Sequence, residues 1–176
     1  MKKFSILKMC LAALFAAVIC VSIVALPISL PGNGYFNLGD SFIIVAALCL
    51  GPIWGGLAAA IGAGLSDLIL GYTVYAPATF IIKWLIVLAV YFIAHKPLAK
   101  KFNIGWLLLA TTVGEIICVL GYFLFEIPLY GIGVATVDII GNATQGACSI
   151  VAGSLFYSLL YKTGVVKKIF DNKKLH

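Results

Sequence analysis

The placement of charge constrains what this chain can fold into more than any other feature. No Asp, Glu, Lys or Arg stands between Lys8 and Asp40, between Asp40 and Asp67, or between Asp138 and Lys162. A helix crossing the hydrocarbon core of a bilayer needs ~20 mostly apolar residues. Each of these gaps leaves room for one. Only 10% of the residues are charged and 63% are hydrophobic, whereas ordinary soluble domains carry about 25% charge. A membrane β-barrel would alternate apolar and polar residues. These runs are instead continuous and rich in Gly and Ala. The sequence predicts one all-α integral membrane domain spanning 1–176.

Proline and glycine divide the runs. The expected helices cover 6–28, 38–50, 53–70, 77–94, 103–125 and 134–161, a bundle of six. Pro27 and Pro31 end the first, Gly51-Pro52 separates the second and third, and Pro128 with Gly131 and Gly133 separates the fifth and sixth. The start, with Lys2, Lys3 and Lys8 before an apolar run, also has the look of a signal peptide. The run exceeds a usual h-region and no A-x-A site follows, so a retained helix is expected. In the third helix Gly55, Ala59 and Ala63 share one face and Gly56, Ala60 and Gly64 another, a spacing that lets helix backbones approach closely in lipid.

All twelve basic residues are lysines. With six spans, Lys2–Lys8, Lys96–Lys101 and the basic tail 162–176 fall on one face. The positive-inside rule then puts both termini in the cytoplasm, with the protein multi-pass in the plasma membrane of a bacterium. Lysines at membrane boundaries account for the net charge of +6 without nucleic acid.

Polar residues at membrane depth are costly and need a reason. Asp138, Asn142, Gln145 and Ser149 recur on one helical face, as do Thr111, Glu115, Cys118, Tyr122 and Glu126. Thr79 and Lys83 are four apart, and Gly64 and Asp67 three apart. Two arrangements fit. The groups line an outward-opening cavity, closed by Tyr35, Tyr72, Tyr75 and Tyr130. Alternatively they pair with one another as helix-to-helix bonds, Lys83 neutralising Asp67 or Glu115. No HExxH, GxSxG, paired-histidine site or phosphate-binding loop is present. The expectation is therefore no enzyme, no bound metal or cofactor, and no ATP hydrolysis by this chain. Five scattered cysteines read as small buried hydrophobes.

Asn37-Leu38-Gly39-Asp40, Leu50-Gly51-Pro52, Gly55-Gly56, Asp67-Leu68, Gly71-Tyr72, Tyr75-Ala76-Pro77 and Ile82-Lys83, with Asn142 and Gln145-Gly146, resemble the S components of energy-coupling factor (ECF) vitamin transporters, in the riboflavin-type branch. The resemblance implies a six-helix fold. It also implies capture of a water-soluble vitamin from outside, with a transmembrane coupling protein and two ATPase subunits that use the ATP. The ligand site it implies includes Tyr35, Tyr72, Lys83, Glu115, Tyr122, Asn142 and Gln145, beside which the residue pattern adds Tyr75 and Asp67. It further implies a coupling-protein contact through small residues of the first helix, where Ala12 and Ala16, or Ala13 and Ala17, have the spacing. Riboflavin follows from the branch alone. Hydroxymethylpyrimidine, pyridoxine and pantothenate stay open, as do a membrane scaffold protein and an ion-coupled carrier.

Overall fold

The computed structural model describes residues 6–25, 27–29 and 35–166. It contains four helices and a two-stranded hairpin. Helix α1 spans Ile6–Ala25, strands β1 (Ile28–Ser29) and β2 (Tyr35–Phe36) pair antiparallel, and helices α2 (Gly39–Leu70), α3 (Ala76–Lys100) and α4 (Ile104–Lys162) follow. All four helices are long and apolar enough to cross a membrane. The chain is thus an all-α multi-pass membrane protein.

The expected bundle of six helices is corrected to four. The expected second and third helices are one element, α2, and the fifth and sixth are one element, α4. The physical reason lies in two glycines. At Gly51 (φ 84°) and Gly131 (φ 82°) the backbone leaves helical geometry for a single residue, a conformation glycine adopts at little steric cost. Helix runs up to that residue on both sides, so no loop intervenes. Pro52 stands directly after the Gly51 break, where its lost N–H removes no helical bond. Each long element therefore has two arms. A Cβ on Gly55 would lie 2.8 Å from the Ala46 carbonyl oxygen, and one on Gly146 would lie 3.0 Å from Glu115 Cβ. The arms fold back on each other in both elements.

Other boundaries also differ. α1 stops at Ala25 and the chain turns into the hairpin, three residues short of the expected 28. α3 continues past 94 to Lys100, absorbing His95 and Pro97 into its last turns. The Lys2–Lys3 pair, the Pro31–Gly34 loop and most of the basic tail from 167 onward lie outside the described residues.

α2 is the centre of the bundle and packs against α1, α3 and α4. Its small residues make this possible. A Cβ on Gly62 would come within 2.6 Å of the Ala16 carbonyl oxygen, so α1 crosses α2 with backbones nearly touching. Ile43, Ile44, Leu48, Ile86, Val87, Val90 and Leu107 fill the space between α2, α3 and α4. Large apolar side chains such as Ile53, Ile69, Phe92 and Ile140 stand more than 60% exposed. In a bilayer these face lipid tails as apolar as themselves.

The bundle has two distinct ends. Ile23, Asn37, Asp67, Tyr75 and Glu126 meet at one. Phe102 meets Tyr161 at the other, where Lys100, Lys101 and Lys162 lie.

Candidate functional site

The first end holds a cavity of about 40 Å³, lined by Ile23, Asn37, Ala63, Asp67, Tyr72, Tyr75, Thr79, Lys83, Tyr122, Glu126, Asn142 and Gln145. By the same measure one water needs ~10–15 Å³, so the cavity has room for a few waters. Its residues come from α1, the segment after β2, the second arm of α2, the connection from α2 to α3, the start of α3 and both arms of α4.

The floor is a closed polar network. Lys83 Nζ lies 2.7 Å from Asp40 Oδ1 and 2.9 Å from Oδ2. Asp40 Oδ2 also accepts a hydrogen bond from Gln145 Nε2 at 2.7 Å. Gln145 Oε1 in turn accepts from the backbone N–H and the side-chain amide of Asn37, both at 3.0 Å. Asn37 Oδ1 accepts from Gly39 N–H at 2.8 Å, at the start of α2. Asp40 is wholly buried and Lys83 nearly so. Burying two charges costs several kcal/mol per ion before pairing, so this network is rigid only because its members satisfy one another. It ties α2, α3 and the second arm of α4 together.

The walls are aromatic. Tyr75 stacks on Tyr130 at 6.1 Å between centroids and meets Phe125 edge-on at 5.6 Å. Tyr72 and Tyr122 stand at 6.1 and 6.3 Å from the same ring. The Tyr122 hydroxyl shares a 2.9 Å hydrogen bond with Thr79 Oγ1, and Lys83 Nζ lies 5.3 Å from the Tyr122 ring centre. Burial above all pushes the Tyr75 phenol up from its ordinary value, with the Glu126 charge adding to it. Tyr75 O–H is therefore a donor at any physiological pH, and it donates to Glu126 Oε1 at 3.4 Å.

A profile for the family described as "ECF-type riboflavin transporter, S component" matches residues 3–162. The chain belongs to that family. It is the substrate-capture S component of an ECF-type riboflavin transporter. A protein of Pyrococcus woesei, described as an uncharacterised protein in the gap 3′ region, is 33% identical over 152 residues, covering 86% of this chain and 99% of that protein.

In the S component, seven of the sequence-derived site residues line one cavity: Asp67, Tyr72, Tyr75, Lys83, Tyr122, Asn142 and Gln145. Glu115 does not. Its carboxyl packs beside Gly146, and it lines a separate apolar groove between the two arms of α4. Tyr35 pairs with Ser29 in the hairpin. Lys83 does not take Asp67 or Glu115 as its hydrogen-bonded partner; that partner is Asp40.

Sequence reasoning passed over Asn37 and Asp40, whereas Thr79 and Glu126, expected among the polar groups of the helix faces, both line the cavity. The Asn37-Leu38-Gly39-Asp40 segment was the available signal, since a charge in an otherwise charge-free run needs a partner. Asp40, Glu115 and Cys118 offer ligand atoms within 4.8 Å of one another, a spacing a metal ion would accept. The Lys83 ammonium already stands there, 3.3 Å from Cys118 Sγ, and supplies the positive charge.

The two small-residue pairs of α1 separate. Ala12 is buried and Ala16 sits against Gly62 of α2, whereas Ala13 and Ala17 are exposed.

Proposed function

We propose that riboflavin binds in the cavity between the Asp40–Lys83–Gln145 floor and the Tyr72–Tyr75 wall. The observation that carries this reading is the pairing of a flat aromatic wall with hydrogen-bonding groups in one pocket. Such a pocket, apolar on its sides with a few placed polar groups, suits a drug-sized polar aromatic molecule. Tyr72, Tyr75 and Tyr122 line the cavity with aromatic rings. Asn142, which makes no hydrogen bond to another described residue, offers an amide with both donor and acceptor. A flavin needs far more room than a few waters, so capture requires the cover to move. Gly71 (φ 87°), with open space around it, precedes Tyr72 and is where the cover would hinge.

Lysine is absent from 9–82 and, apart from Lys83, occurs only at 96–101 between there and 162. By the positive-inside tendency the lysine-bearing end faces the cytoplasm and the cavity faces out. The coupling protein would meet α1 on the exposed Ala13–Ala17 side, since Ala12 and Ala16 already serve α2. ATP hydrolysis would belong to the partner ATPases and not to this chain, in which we infer no catalysis. The plasma membrane of the producing cell is the expected location.

A thermal-shift screen of the purified chain against water-soluble vitamins tests the ligand. A molecule that binds only the folded state adds about 2.7 kcal/mol at 100 times its Kd. Riboflavin should raise the melting temperature, while pyridoxine, pantothenate and hydroxymethylpyrimidine should not. A shift with one of those three and none with riboflavin reassigns the ligand.

A further inference from the structure

The lysine-bearing end of the bundle holds a second concave surface, far from the vitamin cavity. We propose that the corner between α3 and α4 binds an anionic phospholipid, with Lys101 on the headgroup phosphate and Trp106 beside the glycerol and upper acyl chains. The proposal does not depend on which ligand fills the first cavity.

The corner is a groove of about 520 Å³ lined by Pro97, Lys101, Phe102, Asn103, Ile104 and Trp106. Its form follows from the local sequence. Pro97 lies in the last turns of α3, and the backbone is extended at Lys101, where the helix ends. α4 begins at Ile104, and Asn103 Oδ1 accepts from Gly105 N–H at 2.9 Å. Lys101, Phe102 and Asn103 alone join the two long helices. Phe102 meets the Tyr161 ring at 4.9 Å between centroids and ties the join to the far end of α4. Lys101, Asn103, Ile104 and Trp106 stay exposed.

Positive charge gathers here with no negative charge to meet it. Lys96 and Lys100 are four apart on α3 and so share a face, and Lys101 follows directly. The Phe102–Tyr161 contact brings the Lys162 end of α4 to the same corner. The sequence has no Asp or Glu in 68–114 or in 139–170. Lys96, Lys100 and Lys101 form no ion pair with another described residue. An anion from outside the chain is the complement this corner lacks.

The groove changes character along its length, which decides between a lipid and an acidic protein surface. Ammonium and amide groups stand at Lys101 and Asn103. Ile104 and Trp106 follow, 48% and 45% exposed. Leu108 continues the Ile104 face and Leu109 the Trp106 face, and both are exposed. A phospholipid has the same order of chemistry, from anionic phosphate through glycerol to apolar chains. An acidic protein surface would match the lysines but not the apolar half. Tryptophan favours the headgroup level of a bilayer, and basic pockets between transmembrane helices hold anionic headgroups. A lipid seated here neutralises the corner and fixes the depth of the α3–α4 connection at the membrane boundary.

The test is native mass spectrometry of the purified full chain in detergent, titrated with dioleoylphosphatidylglycerol and with dioleoylphosphatidylcholine. The two lipids share acyl chains and differ in headgroup charge. The first phosphatidylglycerol should bind about tenfold or more tighter than the first phosphatidylcholine. Lys101→Gln should lower that preference about fivefold, and Lys100→Gln serves in its place if Lys101→Gln does not fold. Trp106→Ala should weaken phosphatidylglycerol binding about threefold or more with no change of charge. Lys8→Gln removes the same charge from α1, which packs on α2 and on no other described helix, and should change the preference less than about twofold. Equal affinity for the two lipids overturns the proposal. Equal effects of the groove variant and Lys8→Gln also overturn it, since they show diffuse attraction without a site. Excess glycerol 3-phosphate should leave lipid binding unchanged, and displacement of the lipid by it overturns the lipid as occupant.

Discussion

Replacing Lys83 with Met removes the cation from the floor of the cavity while keeping the side chain's length. Asp40 is left wholly buried. Its Oδ2 keeps the Gln145 amide at 2.7 Å and the weak Cys118 contact at 3.8 Å. Its Oδ1 loses its partner at 2.7 Å. Breaking one side of a buried ion pair costs about 3–5 kcal/mol. The two retained donors offset part of that, so the lower figure is expected. At ~2–4 °C per kcal/mol for a chain of this size, the melting temperature should fall by about 6–12 °C. Replacing both partners with neutral residues, Asp40→Asn/Lys83→Met, should recover at least half of the loss, because no orphaned charge remains. Tryptophan fluorescence during thermal unfolding in detergent reads all three proteins. A fall under ~2 °C for the single variant would refute the reasoning, as would a double variant no more stable than the single.

Three further outcomes follow from the geometry. Gly62→Ala should destabilise by about 1–3 kcal/mol, because its Cβ would meet Ala16 backbone at 2.6 Å. Gly64→Ala, whose nearest neighbour is 3.8 Å away, should be neutral or gain up to ~1 kcal/mol from helix propensity; equal effects at the two sites would contradict the α1–α2 crossing. Gly131→Ala puts a Cβ into open space at φ 82°. It should cost about 1–2 kcal/mol in the same melting assay from backbone conformation alone, and a stabilised variant would show that the bend does not require a left-handed residue. Asn37→Ala removes one of the two donors to Gln145 Oε1 and the acceptor for Gly39 N–H. It should weaken riboflavin binding and lower the melting temperature together, and weaker binding with unchanged melting would place Asn37 on the ligand instead of on the network.

Much of the architecture was legible because lipid imposes a one-dimensional rule: apolar runs of a given length become helices. The breaks were legible as positions but not as structures. Gly51 and Gly131 were read as loop residues, since glycine beside proline marks turns in general. Only the backbone shows that each bend is confined to one residue, with helix on both sides. The face of α4 carrying Glu115, Cys118, Tyr122 and Glu126 was correctly grouped by helical spacing. Spacing cannot say where along that face the neighbouring arm closes in, and Gly146 lets it close at Glu115, away from the cavity. Lys83 was evident as a buried cation, but the partners expected for it were Asp67 or Glu115 and not Asp40. Asp40 is 43 positions away, and nothing in a single sequence marks a contact across helices. Asn37 and Asp40 were quoted for the family resemblance before either had a physical role.

The central claim is that the cavity beneath Tyr72 and Tyr75 is where the S component holds riboflavin. The direct measurement is riboflavin titration of the unaltered chain beside Asn142→Leu, which puts an apolar group where the one uncommitted amide stands. Riboflavin should bind the unaltered chain, and the substitution should weaken it by about tenfold or more, as expected for a lost hydrogen bond and a buried polar ligand atom left without a partner, with the unliganded melting temperature within ~2 °C. Undiminished affinity in Asn142→Leu would put the ligand somewhere else.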